Sequence, residues 1–160
     1  MKLIYYIICL VLFCVAIGTS FWSVLHVDTT LSEDIRFKYD YNLGLWNGCI
    51  NNKLCTSVPD KTWAEFPNDS FLACRWLSVV SAVLVFVGVI TLKQSKRSAM
   101  LLLLAGVCGL VVSILWYVKF KKLKFYSGQE AVDAELGYSF ICNLVGAILA
   151  VLSGFFLMSK

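Results

Sequence analysis

A chain of 160 residues that is 59% hydrophobic and 15% charged, with a mean hydropathy of +0.78, carries more apolar surface than a soluble domain of that size can bury, so lipid is part of its solvent. The net charge of +4 does not signal a nucleic-acid partner, because Lys2, Lys93, Lys96, Arg97 and Lys160 sit at helix ends of one face with no acid among them. That is the pattern of a cytoplasmic membrane surface.

Four continuous apolar runs, residues 3–22, 71–92, 99–118 and 136–158, are long enough to cross a hydrocarbon core of roughly 30 Å at about 1.5 Å per helical residue. Continuous apolarity predicts helices, not the alternating strands of an outer-membrane barrel. Pro59 and Pro67, the two prolines, fall outside the runs and leave the helices unbroken. The expected fold class is a membrane all-α four-helix transmembrane bundle with a small extracellular antiparallel β-sheet, one domain over residues 1–160. The lipid bilayer is its first partner.

The first run admits a second reading. Lys2, the apolar stretch 3–15 and the small-residue spacing Ala16-Ile17-Gly18 also resemble a signal peptide, whose cleavage would start the mature chain at Thr19 and strand Trp22 at a free end. Read as a membrane helix, the run delivers the chain to a loop, residues 23–70, too long to lie unstructured without cost and too short for its own core. Within it Ile35-Arg36-Phe37-Lys38-Tyr39-Asp40-Tyr41 alternates apolar and charged residues, the period-two signature of a half-exposed strand. Asn42 and Gly44 supply one turn and Asn51-Asn52-Lys53 another, so short antiparallel strands folded against the helices are expected.

Orientation is contested by charge. The loop's seven acids and four bases put it outside, but Lys119, Lys121, Lys122 and Lys124 crowd the same side at the end of the third run. The cysteines break the tie. Of seven, only Cys49 and Cys55 lie outside the apolar runs, and a close pair in a large loop is best explained as a disulfide formed in the secretory lumen. Closing residues 50–54, it contributes on the order of 2–3 kcal/mol and chiefly fixes a turn. Both termini are then cytoplasmic in a multi-pass plasma-membrane protein. Cys9, Cys14, Cys74, Cys108 and Cys142 read as small apolar packing residues.

Asn68-Asp69-Ser70 fits the N-glycosylation pattern at Asn68, although membrane crowding opposes modification there. Arg75 is the one charge well inside an apolar run, which near the centre costs ~2.5 kcal/mol or more. One turn deep, it suits either a clamp between the second helix and the loop or a conduction or sensing role. Residues 93–98, Lys-Gln-Ser-Lys-Arg-Ser, form a short basic hairpin that makes helices two and three adjacent and antiparallel. Small residues recur at four-residue spacing, Ala105, Gly109 and Ser113 in the third run and Gly146, Ala150 and Gly154 in the fourth. They suit close packing within the bundle or a face for neighbouring copies, and Asn143 suits an interhelical hydrogen bond.

The second loop, residues 119–135, opens on Lys121-Lys122-Leu123-Lys124-Phe125-Tyr126, and one short strand from it can extend the sheet. Trp22, Trp46, Trp63 and Trp116 fall near membrane interfaces. With Lys160 following the last apolar run almost directly, no tail for docking machinery is expected. A single histidine, His26, the lack of Cys/His metal spacing or a glycine-rich phosphate loop, and no serine with a nearby base leave neither catalysis nor a cofactor to expect.

Trp22, Gly44-Leu45-Trp46, Cys49 and Cys55 together resemble the W…GLW…C…C signature of the claudin and peripheral-myelin-protein superfamily. Ala73-Cys74-Arg75 is similar to its alanine-x-arginine element. Leu104-Ala105-Gly106-Val107-Cys108-Gly109-Leu110 with Trp116-Tyr117 is similar to the claudin third helix, and Phe125-Tyr126 with Glu135-Leu136-Gly137 resembles the claudin second loop. The short gap between the cysteines is closer to the epithelial membrane proteins and the lens fibre protein of that superfamily.

The resemblance implies a left-handed bundle capped by a sheet with four strands from the first loop and one from the second. Trp46 and the Cys49–Cys55 bridge would anchor the sheet, and Arg75 would tie the second helix to it. It also implies a structural protein of cell–cell contacts, self-associating or joining neighbouring membrane proteins through its loops, and sealing or selectively opening the paracellular route at a tight junction. In such a pore the acids Asp28, Glu33, Asp34 and Asp40 would favour cations. Stargazin-like subunits share the signature, so an auxiliary role on an ion channel or receptor is the alternative.

Overall fold

Apolar runs free of proline propagate as helix over α1 (Lys2–Gly18), α2 (Asn68–Ile90), α3 (Ser95–Phe120) and α4 (Tyr138–Met158). The computed structural model describes residues 2–32, 35–57, 68–92, 94–120, 124–127, 130–133 and 135–159, so Glu33, Asp34, Trp63, Lys93, Lys121, Lys122 and Lys160 lie outside the described residues. Helices α2, α3 and α4 are long and apolar enough to cross a membrane, and the apolar part of α1, Leu3–Gly18, is shorter. α1 packs on α2 and α4, α2 on α3, and α3 on α4, which closes a ring of four. Large apolar side chains also face outward, with Trp76, Ile90, Leu152 and Phe155 each more than half exposed. A bundle apolar inside and out is solvated by lipid.

Apolar length predicts a first helix to residue 22, yet α1 stops at Gly18. The Thr19 hydroxyl donates back to the Val15 carbonyl at 2.7 Å and the Trp22 indole N–H donates to the Ala16 carbonyl at 2.6 Å. Side chains thus satisfy carbonyls that another helical turn would have used, and the chain leaves extended. Helix α3 instead outruns its apolar stretch at both ends, because Lys96, Arg97 and Lys119 are good helix formers beyond the hydrocarbon, which shortens the link from α2. α4 begins at Tyr138, two residues late, because the chain just before it is strand.

Five strands form one antiparallel sheet: β1 (Ser23–Ser32), β2 (Ile35–Leu43), β3 (Asn47–Ile50), β4 (Leu54–Ser57) and, following a separate hairpin of β5 (Lys124–Ser127) with β6 (Glu130–Asp133), β7 (Glu135–Leu136). Their order is β4-β3-β2-β1-β7. The strand that joins the sheet from this side is β7, which begins at the last residue of the second loop and enters α4, while Lys124–Ser127 pairs with Glu130–Asp133 in a hairpin of its own. Asn42 is not at a turn. It sits in β2 opposite Cys49 and Val24, only 2% exposed, because its amide N–H donates to Asn52 Oδ1 at 2.6 Å. The β3–β4 turn is made by Asn51 and Asn52 at φ 49° and 57°, closed by the Lys53 N–H on the Ile50 carbonyl.

The two helical ladders of small residues face the bundle's own interior, and all six residues are buried. A Cβ on Gly109 would lie 2.9 Å from Ala147 Cβ, and one on the neighbouring Gly106 2.8 Å from the Ala147 carbonyl oxygen. Such an approach lets dispersion replace the hydrophobic drive that lipid removes. Asn143 reinforces it by donating to the Gly109 carbonyl and to Ser113 Oγ, both at 2.9 Å. Gly109→Val is expected to lower the thermal unfolding midpoint in detergent, an overpacking loss of about 1–3 kcal/mol. Gly18→Ala, whose added carbon meets nothing within 4 Å, should leave it unchanged. Equal midpoints would contradict the close contact of α3 with α4.

Candidate functional site

The sheet meets the bundle at a stretch of backbone two residues long. The Trp22 N–H donates to the Leu43 carbonyl at 3.0 Å, while the carbonyls of Trp22 and Phe21 accept from the Gly137 and Ser139 N–H groups, each at 3.0 Å. The end of β2 and the entry to α4 are thereby bonded to the same short segment. Two glycines make the approach possible. A Cβ on Gly44 would overlap the Ser20 Cα, and a Cβ on Gly137 would overlap the Phe21 carbonyl. Both glycines are there for space, since neither has a left-handed backbone.

Beneath this junction the rings of Trp22 and Trp116 pack with centroids 4.9 Å apart, and Phe71 lies 5.9 Å from Trp116. Both indoles are fully buried with Leu45. Trp22 and Trp116, expected near a membrane interface, lie at the helix ends where the sheet joins, and each N–H finds an internal partner, the Ala16 carbonyl for Trp22 and Ser23 Oγ, at 3.0 Å, for Trp116. Arg75, in the second turn of α2 and 6% exposed, donates from Nε to the Leu45 carbonyl. Its guanidinium carbon stands 4.4 Å from the Phe71 ring centre and 5.2 Å from that of Trp46. The charge is thus held between two aromatic faces and a strand-end carbonyl, which lowers its cost at the edge of the apolar region.

Cys49 and Cys55 are directly opposed on β3 and β4 and joined by a disulfide, with Cys49 buried and Cys55 exposed. Beside this bridge three large apolar side chains are exposed among Asn47, Asn51, Asn52 and Lys53. Trp46 is 37%, Ile50 39% and Leu54 71% exposed, and β4 is the outermost strand of the sheet. Burial pushes the Tyr41 phenol on the adjacent strand upward from its ordinary pKa.

The acids are distributed unevenly. Asp40 on β2 is paired with His26 on β1, Nδ1 to Oδ1 at 2.7 Å, with both side chains more than half exposed. Asp28 lies further along the same ladder, opposite Lys38. Asn68 is the first residue of α2. Sequence reasoning missed the His26–Asp40 pair and the spatial need for Gly137. The first depends on a register shift between Thr30 and Ser32 that the residue pattern does not show; the second lay in a glycine set directly before an apolar run. Among the described residues no group of three or more His, Cys, Asp or Glu side chains converges on a metal site.

A family model described as the PMP-22/EMP/MP20/Claudin family matches residues 1–157. Epithelial membrane protein 2 of Danio rerio is 26% identical over 140 residues, an alignment that takes in 82% of this chain and 84% of that protein.

Arg75→Met keeps a long side chain but removes the donor to Leu45 and the cation over two rings. It is expected to cost about 1.5–3 kcal/mol of stability, read as a lower thermal midpoint. Arg75→Lys should recover little of that, since an ammonium has neither the planar face nor the Nε donor. Full recovery by lysine would contradict the geometry described.

Proposed function

Since the chain belongs to the PMP-22/EMP/MP20/Claudin family, we propose that it is a structural protein of cell–cell contacts, its sheet outside the cell and associating with further copies to form an adhesive or paracellular barrier. The observation that carries this reading is the rim of the β3–β4 hairpin. Trp46, Ile50 and Leu54 expose apolar surface on a hairpin cross-linked by a disulfide, at an outermost strand whose backbone offers a template for pairing. A preorganised apolar patch binds without first ordering itself.

The disulfide favours an oxidising, extracellular setting for the sheet. Lys96 and Arg97, at the start of α3, favour a cytoplasmic setting for the other end and for both termini of the chain. The plasma membrane, and within it the cell junction, is the location consistent with both. If the contact also passes ions, Asp40 is the described, exposed acid best placed to favour cations. Arg75 serves in this scheme as the clamp that holds the hairpin's base to α2.

Expressed in adhesion-poor cells, the protein should concentrate at contacts and raise transepithelial resistance. Leu54→Glu should weaken the contact about fivefold or more while leaving surface delivery intact, and Asp40→Asn should lower any cation preference. A uniform surface distribution with unchanged resistance would overturn the proposal. Recovery of an ion channel at fixed stoichiometry, without self-association, would favour the auxiliary-subunit role instead.

A further inference from the structure

The two sulfurs of the Cys49–Cys55 bridge face different surroundings. Cys49 on β3 is 5% exposed, whereas Cys55, directly opposite on the outermost strand β4, is open to water. A soluble thiol therefore meets the bond at Cys55. On the buried side Ser20 Oγ lies 3.4 Å from Cys49 Sγ, and because a disulfide sulfur carries no proton, the hydroxyl is the donor. Ser20 is fixed there by the junction, where Gly44 leaves no room for a Cβ beside the Ser20 Cα. Attack at Cys55 expels Cys49 as a thiolate, and a hydroxyl already pointed at that sulfur stabilises the charge as it develops.

The bridge also tethers one strand more than the others. The turn before β4 is anchored independently of it: the Asn51 N–H donates to the Asp40 carbonyl at 2.7 Å, Asn51 Oδ1 accepts from the Asp40 N–H at 2.8 Å, and Asn52 Oδ1 accepts from Asn42 at 2.6 Å. Past Asn52, β4 is held by the Lys53 N–H on the Ile50 carbonyl, a ladder to β3 over Leu54–Ser57, and the disulfide. So short an edge ladder is marginal alone in water. A bridge that closes a small loop also gains less from chain entropy than one spanning a long loop, so it resists reduction less.

We propose that Cys49–Cys55 is a redox-modification site whose reduction releases β4 while β1, β2, β3 and the junction stay folded. The reductant is an extracellular dithiol. One of its thiols, deprotonated to solvent, attacks Cys55 Sγ; the S–S bond breaks, and Cys49 leaves as a thiolate that takes up a proton from water. The second thiol then displaces Cys55, closing the dithiol's own disulfide, so two electrons and two protons pass to the cysteine pair. Leu54 is carried on the released strand, so the consequence for cell contacts rests on the adhesive reading above, while the chemistry does not.

The test uses the full chain in lipid nanodiscs and, as probe, a thioredoxin whose resolving cysteine is replaced by serine, which traps the mixed disulfide. Peptide mass spectrometry should find the probe on Cys55 and Cys49 free to alkylate. After reduction with dithiothreitol at neutral pH, amide exchange should quicken about tenfold or more over residues 54–57, stay unchanged at Trp22, Gly44 and Asn51, and return on reoxidation. Ser20→Ala should slow the reduction about threefold. If circular dichroism shows that variant unfolded, the site of trapping and the exchange pattern decide. Probe on Cys49, a bridge that resists the dithiol, exchange that quickens through β1–β3 as well, or a folded Ser20→Ala reduced at the original rate overturns the proposal. In cells, failure to gather at contacts even when oxidised would instead overturn the adhesive reading and leave the redox site standing.

Discussion

Backbone at membrane depth must find its hydrogen-bond partners within the protein, and nowhere is that demand harder to meet than where a helix turns into a strand. In this chain the change happens over residues 19–22. The Trp22 indole closes the end of α1, the Trp22 N–H takes the end of β2, and the carbonyls of Phe21 and Trp22 take the start of α4. Every other feature of the head depends on that convergence. Gly44 and Gly137 exist to let the backbones meet, and the Trp22–Trp116 pair fills the space below them.

A junction so constrained gives the sheet a fixed pose on the bundle. Arg75 extends the constraint sideways, bonding α2 to the loop carbonyl of Leu45 just before β3, and the disulfide carries it to the edge strand. The apolar hairpin rim is therefore presented by a chain of rigid contacts that begins inside the membrane. Binding through such a surface loses little conformational entropy. At the other end of the molecule Tyr6 bonds Ser98 across α1 and α3, so the helices are tied at both ends while their outer faces stay apolar.

Much of this was legible in the sequence because the strongest signals are physical necessities. Apolar length gave the four helices, and the period-two pattern from Ile35 marked β2. Helix ends were misjudged where side chains intervene: hydropathy does not register that Trp22 caps α1, nor that Lys96 and Arg97 continue α3 into water. Asn42 was misread because a turn-forming residue and a buried, hydrogen-bonded strand residue look alike until Asn52 is brought beside it. The tryptophans mark a further limit, since an amphipathic ring suits a membrane interface and a polar-capped core equally well, and the choice rests on long-range partners such as Ser23.

The central claim is that the helix-to-strand junction is the most constrained non-helical part of the molecule. Amide hydrogen exchange of the full chain in lipid nanodiscs measures it directly. The N–H groups of Trp22, Gly137 and Ser139 are predicted to exchange as slowly as those in the interior of α3, and far more slowly than Lys53 at the hairpin turn. Exchange at Trp22 and Gly137 as fast as at Lys53 would contradict the account.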